Sequence, residues 1–158
     1  MMKRLFSLLL SGILLLTLTS CKSSAHHIDV GYDGEIRMTD GQAEYTAQLS
    51  HADGVLTVTM TAPEELAGVA YEYRGGELSI MLNGMKCITD PDSLPDSSCI
   101  SLLYDVLSNS DKAEYQKTEN GVDIFSVKTD SCTATITAEN GDLKSITSEN
   151  DDREILFS

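Results

Sequence analysis

The chain has no tryptophan, three phenylalanines and three prolines in 158 residues. With so few large rings, an interior must be built mostly from aliphatic side chains and tyrosine. Positive charge is also scarce: 11 Lys and Arg stand against 25 Asp and Glu, a formal net charge of −14. Such a surface does not hold nucleic acid or an anionic bilayer by electrostatic attraction. None of the four cysteines sits in a CxxC pair or at zinc spacing from a histidine. There is no GxSxG and no glycine loop that could cradle a phosphate, because the glycines fall in turns.

The residues with any chemistry to offer are few. His51 precedes Asp53 in an expected turn, where an imidazole is ordinarily solvated, and no partner serine is at hand. Asp90, Asp92 and Asp96 share a Pro-containing loop and could offer oxygens to Ca2+, but without the spacing and central glycine of an EF-hand. His26-His27 reads as a solvated pair in a linker, and Glu149, Asp151, Asp152 and Glu154 as a solvated acidic turn. The chain is therefore expected to be no enzyme, with no metal and no cofactor.

What is present begins at the N-terminus. Lys3 and Arg4 precede an almost wholly apolar stretch from Leu5 to Leu18. That is shorter than the roughly 20 residues of a membrane span and fits the h-region of a signal peptide. Leu18-Thr19-Ser20-Cys21 follows at once and resembles the bacterial lipobox: an aliphatic residue, two small residues, then cysteine. The resemblance implies a diacylglyceryl group on the Cys21 thiol and cleavage before it. Two acyl chains anchor stably, whereas one binds only marginally. Residues 1–20 are thus expected to be a lipoprotein signal peptide and 21–27 a flexible tether. Residues 28–158 form the domain, on the extracytoplasmic face of the cell membrane. Removal of Lys3 and Arg4 takes the formal charge to −16, so the lipid, not the domain surface, must hold the membrane.

Within the domain, turn dipeptides recur: Asp33-Gly34, Asp40-Gly41, Asp53-Gly54, Gly75-Gly76, Asn83-Gly84, Asn120-Gly121 and Asn140-Gly141. They supply the positive φ that tight hairpins need. Between them residues alternate with period 2, most cleanly over 42–49, 55–61, 69–74, 78–82 and 131–138. Leu56, Val58 and Met60 face one way, and so do Leu78, Ile80 and Leu82. Cys132 falls on an inward row, so of the three cysteines left after Cys21 it reads as a small buried apolar residue. At most one disulfide can form among Cys87, Cys99 and Cys132, and spacing does not choose the pair.

The segment 98–107 breaks the alternation, with apolar residues at 99, 100, 102, 103, 106 and 107. This predicts an amphipathic helix capped by Asp96 or Ser97 and stopped near Asn109. A short helical turn is expected at 63–68. The fold class is mainly β (α+β): an open antiparallel half-barrel of about ten strands with one amphipathic lid helix. The inward rows use Thr, Ala, Met and Val freely, which suits a sheet that is covered by a helix or curved around a cavity.

The order of elements includes Ala62-Pro63-Glu64-Glu65-Leu66-Ala67-Gly68-Val69-Ala70-Tyr71-Glu72-Tyr73, then a two-strand unit, an Asp/Pro-rich loop, the helix and a final set of strands. Over about residues 28–158 this resembles the lipoprotein-carrier (LolA/LolB-like) superfamily, in particular its lipid-anchored Gram-positive members. The Pro-Glu-Glu-Leu-Ala-Gly turn before a Tyr-rich strand is its most telling part. The resemblance implies a half-barrel with an apolar hollow that holds acyl chains or an apolar protein segment. A fixed anchor departs from the soluble, shuttling carrier. Neither Arg37 nor Arg74 aligns with the carrier's functional arginine.

Two functions follow from the sequence. One is binding of an apolar ligand, a lipid or acyl chain, by Leu56, Val58, Met60, Tyr71, Ile80, Leu102, Leu103 and Leu107. The other is an envelope protein-interaction module, for example in sporulation or germination, with no small ligand.

Overall fold

The structure is a computed structural model, described for residues 26–158. The signal segment, Cys21 and the first part of the tether lie outside the described residues.

Eleven strands form one antiparallel sheet, built from two meanders. The first runs through β1 (Tyr32–Asp40), β2 (Ala43–Ala52), β3 (Val55–Ala62), β4 (Ala70–Arg74), β5 (Glu77–Leu82) and β6 (Met85–Thr89). The second runs through β7 (Glu114–Glu119), β8 (Val122–Lys128), β9 (Thr133–Glu139), β10 (Asp142–Ser148) and β11 (Arg153–Phe157). The β3–β4, β8–β9 and β10–β11 connections use other residues, and Asp33-Gly34, expected as a turn, lies within β1, where extended backbone pairs Gly34 with Leu49. The other six hairpins turn at Asx-Gly or Gly-Gly pairs. Asn140 and Gly141, at φ of 56° and 97°, are one such pair, a geometry that β-branched side chains resist.

The meanders join in the middle of the sheet, where β1 pairs with β11 through Ile36–Phe157 and Met38–Ile155. β6 and β7 are left at opposite ends, unpaired with each other, so the half-barrel stays open. The chain must cross the whole sheet to pass from β6 to β7. It does so with α1 (Cys99–Ser108), the one α-helix among the described residues.

Ser98 caps α1, its side chain accepting from the Ser101 N–H at 3.0 Å. The cap therefore falls two residues after Asp96 and one after Ser97, the positions expected from sequence. Asn109 ends the helix as expected, its N–H reaching the Asp105 carbonyl at 3.2 Å. The apolar stripe is buried throughout: Leu102, Leu103 and Val106 are wholly inaccessible, and Cys99, Ile100 and Leu107 nearly so. It lies against β1, β10 and β11, where Ile36, Met38, Ile146 and Ile155 are also buried. The inward alanines at 47, 134 and 138 of β2 and β9 are fully buried as well.

The second helical turn is the one-turn 3-10 helix Glu64–Leu66. Cys132 is buried as expected; Cys87, Cys99 and Cys132 are all free thiols. Cys99 donates to the Thr39 carbonyl at 3.2 Å, and burial pushes its pKa up to about 12, so it is an inert core thiol.

The end of the tether is held by the domain. His26 Nδ1 meets Asp123 Oδ2 at 2.9 Å and the ring stacks on Tyr115 at 3.8 Å. The Asp29 N–H then reaches the Gly141 carbonyl at 2.9 Å. Hydrogen bonds from Thr118 and His26 hold Asp123 below the usual carboxylate range. The tether thus reaches the sheet at the end that carries the β7–β8 and β9–β10 turns.

Candidate functional site

The eight residues chosen from sequence do converge on the concave face. Leu56, Val58 and Met60 come from β3, Tyr71 from β4, Ile80 from β5, and Leu102, Leu103 and Leu107 from α1. Val58 pairs with Tyr71, and Tyr71 with Ile80, so these three form one row across three strands. Their environments divide them. Leu56, Val58, Met60, Leu102, Leu103 and Leu107 are each at most 4% exposed and belong to the packed core. Tyr71 and Ile80 are only partly buried and pack on the core's edge. Directly beneath α1 the concave face is therefore filled by side chains.

Space opens beside the helix. A cleft of about 170 Å3 lies between the start of α1 and the sheet, lined among others by Met60, Leu66, Tyr71 and Ile100. It opens at the β1 end marked by Asp40, away from the tether. Burial pushes the Tyr71 pKa up, the mark of a phenol with poor access to water. From here the apolar floor runs outward along β5 and β6. Leu78 is fully buried, Ile80 half-buried and Leu82 37% exposed, and Met85, opposite Leu82, is 68% exposed. Leu82 and Met85 continue the inward alternation to a point that α1 does not cover. Sequence reasoning recognised the alternation of β5 but had no signal for where the helix would stop covering it.

The candidates for chemistry scatter. His51 lies in β2 rather than in the turn, half-buried, with Nδ1 2.7 Å from the Val30 carbonyl. That contact fixes the ring in place of any serine. Asp90 turns inward on its own loop and accepts from the Asp92 N–H at 3.0 Å, capping a short 3-10 helix. Among the described residues no three His, Cys, Asp or Glu side chains are placed to hold a metal ion. A recess of about 370 Å3 is a broad opening at the tether beside His26, His27 and Asp123, away from the concave face.

No family model matches the chain. No curated protein matches it significantly. Among solved structures, that of a LolA superfamily protein from Nitrosomonas europaea matches with a TM-score of 0.43 and 12% sequence identity, covering 77% of this chain and 66% of that one. The chain thus spans slightly less than two thirds of that protein's length.

Proposed function

We propose that the chain is a lipid-anchored, non-catalytic binding protein of the extracytoplasmic face of the membrane, and that its concave face receives an apolar chain such as an acyl tail beside α1. The observation that carries this reading is the uncovered floor of β4–β6. Apolar side chains continue past the helix through Tyr71, Ile80, Leu82 and Met85 and lead into the cleft at Met60 and Leu66. Contiguous exposed apolar surface of this kind marks a binding site more often than an isolated exposed residue does. The cleft is smaller than the roughly 300–1,000 Å3 of sites for drug-sized ligands. A single chain laid along the wing suits it, and a bulkier occupant requires α1 to lift. The acidic surface gives the domain no hold of its own on an anionic bilayer, so the diacylglyceryl group on Cys21 supplies the membrane attachment.

The filled packing under α1 favours a second reading, the envelope protein-interaction module. On that reading Leu82, Met85 and Ile88, all exposed, and the open edge of β6 engage another protein and no lipid.

The Cys21→Ala protein tests anchor and ligand together, since it carries no covalent lipid. It is expected in the soluble or secreted fraction, and organic extraction followed by mass spectrometry is expected to recover about one lipid per chain. Retention in the membrane fraction would refute the anchor. A soluble protein that yields no stoichiometric lipid would favour the interaction module.

A further inference from the structure

The two edges of the sheet are built differently. β7 carries Glu114, Lys117 and Glu119, and its pairing with β8 shifts register between Tyr115 and Lys117. Charge and irregular pairing of this kind blunt a free edge against further strands. β6 has little of either. Its five residues pair with β5 without a break. Residues 78–89 carry a single charge, Lys86, on a chain of net charge −14, and Lys86 lies 3.9 Å from Glu72 of β4. The strand is apolar on both faces. Met85, 68% exposed, shares the concave face with Leu82, and Ile88, 60% exposed, lies on the outer face.

The free backbone groups of β6 follow from its turn. Asn83 and Gly84, both at positive φ, close a two-residue turn between Leu82 and Met85. Leu82 and Met85 therefore exchange both hydrogen bonds, and by alternation so do Ile80 with Cys87 and Leu78 with Thr89. The N–H and C=O of Lys86 and Ile88 point away from β5, on the side where no strand lies among the described residues. Three two-fold registers set β6 against itself. Centred on Lys86, two ammonium groups stand opposite each other, which is unfavourable. Centred on Ile88, Lys86 must bond to Asp90, whose carbonyl already accepts from the Ser93 N–H at 2.9 Å. Centred on Cys87, Lys86 of each copy exchanges both bonds with Ile88 of the other. Met85 then lies opposite Thr89, and no like charges meet.

We propose that β6 is a docking edge for a second copy of this chain, the two β6 strands pairing antiparallel about a two-fold axis at Cys87. A register in which the strand complements itself favours a second copy over an unrelated strand. The blunted β7 edge disfavours head-to-tail growth, so the contact closes as a pair. The near-neutral edge is also where two acidic copies meet with least repulsion. Five residues a side make a small interface, which suits a transient pair at high local concentration. The pairing goes beyond the binding reading and needs no apolar ligand.

Cys87 is the exposed one of the three described thiols, which makes it a probe of the axis. Opposite residues that share no hydrogen bonds have Cα atoms about 4.5 Å apart, within disulfide reach. Oxidation of the concentrated full-length protein in detergent with copper(II)–phenanthroline tests the pairing; the two thiols release two protons and pass two electrons to copper(II). A reducible dimer is expected. In the Cys87→Ser protein, Met85→Cys and Thr89→Cys should each give little dimer alone, because like positions lie about 13 Å apart. The two proteins mixed should cross-link. Ile88→Lys, facing Lys86 of the second copy, should lower the Cys87 dimer about fivefold, and Ile88→Glu should keep or raise it. Ile88 is exposed, so folding is not in question. The proposal is overturned by absence of the dimer, or by equal cross-linking of the single and mixed cysteine proteins, the mark of random collision. A yield that Ile88→Glu lowers and Ile88→Lys raises, the mark of overall charge, would overturn it as well. None of these outcomes depends on recovery of a lipid.

Discussion

Replacing Leu103 by alanine is expected to destabilise the domain by about 2–5 kcal/mol, the range for truncating a fully buried leucine. That is a large share of the roughly 5–15 kcal/mol that holds a domain of this size folded. The expectation rests on what α1 does. Leu103 is fully inaccessible and belongs to the stripe that covers the middle of an open sheet. No second α-helix stands behind it among the described residues. A gap under α1 therefore meets no alternative packing partner and closes only by moving the helix. The melting temperature should fall by on the order of 10 °C. Leu82→Ala, at a position 37% exposed, should change stability by no more than about 0.5 kcal/mol. Equal effects from the two would mean that α1 is a loose cover and no part of the core.

The second large effect is expected at Arg153. This residue is 4% exposed, a rare burial for a guanidinium. Its Nε and one terminal nitrogen donate to Asp151 at 2.8 and 2.7 Å, and the other terminal nitrogen to the carbonyls of Asp96 and Ser98. The start of β11 is thereby tied to the residue that caps α1. Arg153→Ala leaves those acceptors without their donors and should cost about 2–4 kcal/mol. Lysine should not rescue it, since one ammonium cannot reproduce the planar fork that spans four acceptor oxygens. Hydrogen bonding from Arg153 holds Asp151 below the usual carboxylate range. A carboxylate with a lowered folded pKa contributes stability that is present at neutral pH and is lost as pH falls through that pKa. Urea melts of the two proteins should therefore converge in acid. A difference that grows in acid would contradict this pairing.

The strands were legible because two local signals agreed: period-2 alternation gave the faces, and Asx-Gly or Gly-Gly pairs gave six of the hairpins, though Asp33-Gly34 proved to lie within β1. The same residues did not reveal that β1 would pair with β11, because that contact joins positions such as Ile36 and Phe157 that no local pattern links. The helix was visible from its apolar spacing, but its cap, expected at Asp96 or Ser97, falls at Ser98, whose side chain accepts from the Ser101 N–H. The site was legible as a face and not as a space. Alternation marks Leu56, Val58, Met60 and Ile80 as inward alike, and only the placement of α1 decides which are buried core and which remain open.

On the proposed function, the uncovered wing beside α1 receives an apolar chain. Titration with a fluorescent fatty acid, comparing the unmodified protein with Leu82→Asp, tests it most directly. Burying a leucine is worth about 1.5–3 kcal/mol, so its loss to a carboxylate should weaken binding at least about tenfold. The expected result is saturable binding at one site per chain that Leu82→Asp weakens by that factor with little change in melting temperature. No saturable binding, or the same affinity in both proteins, would contradict the claim.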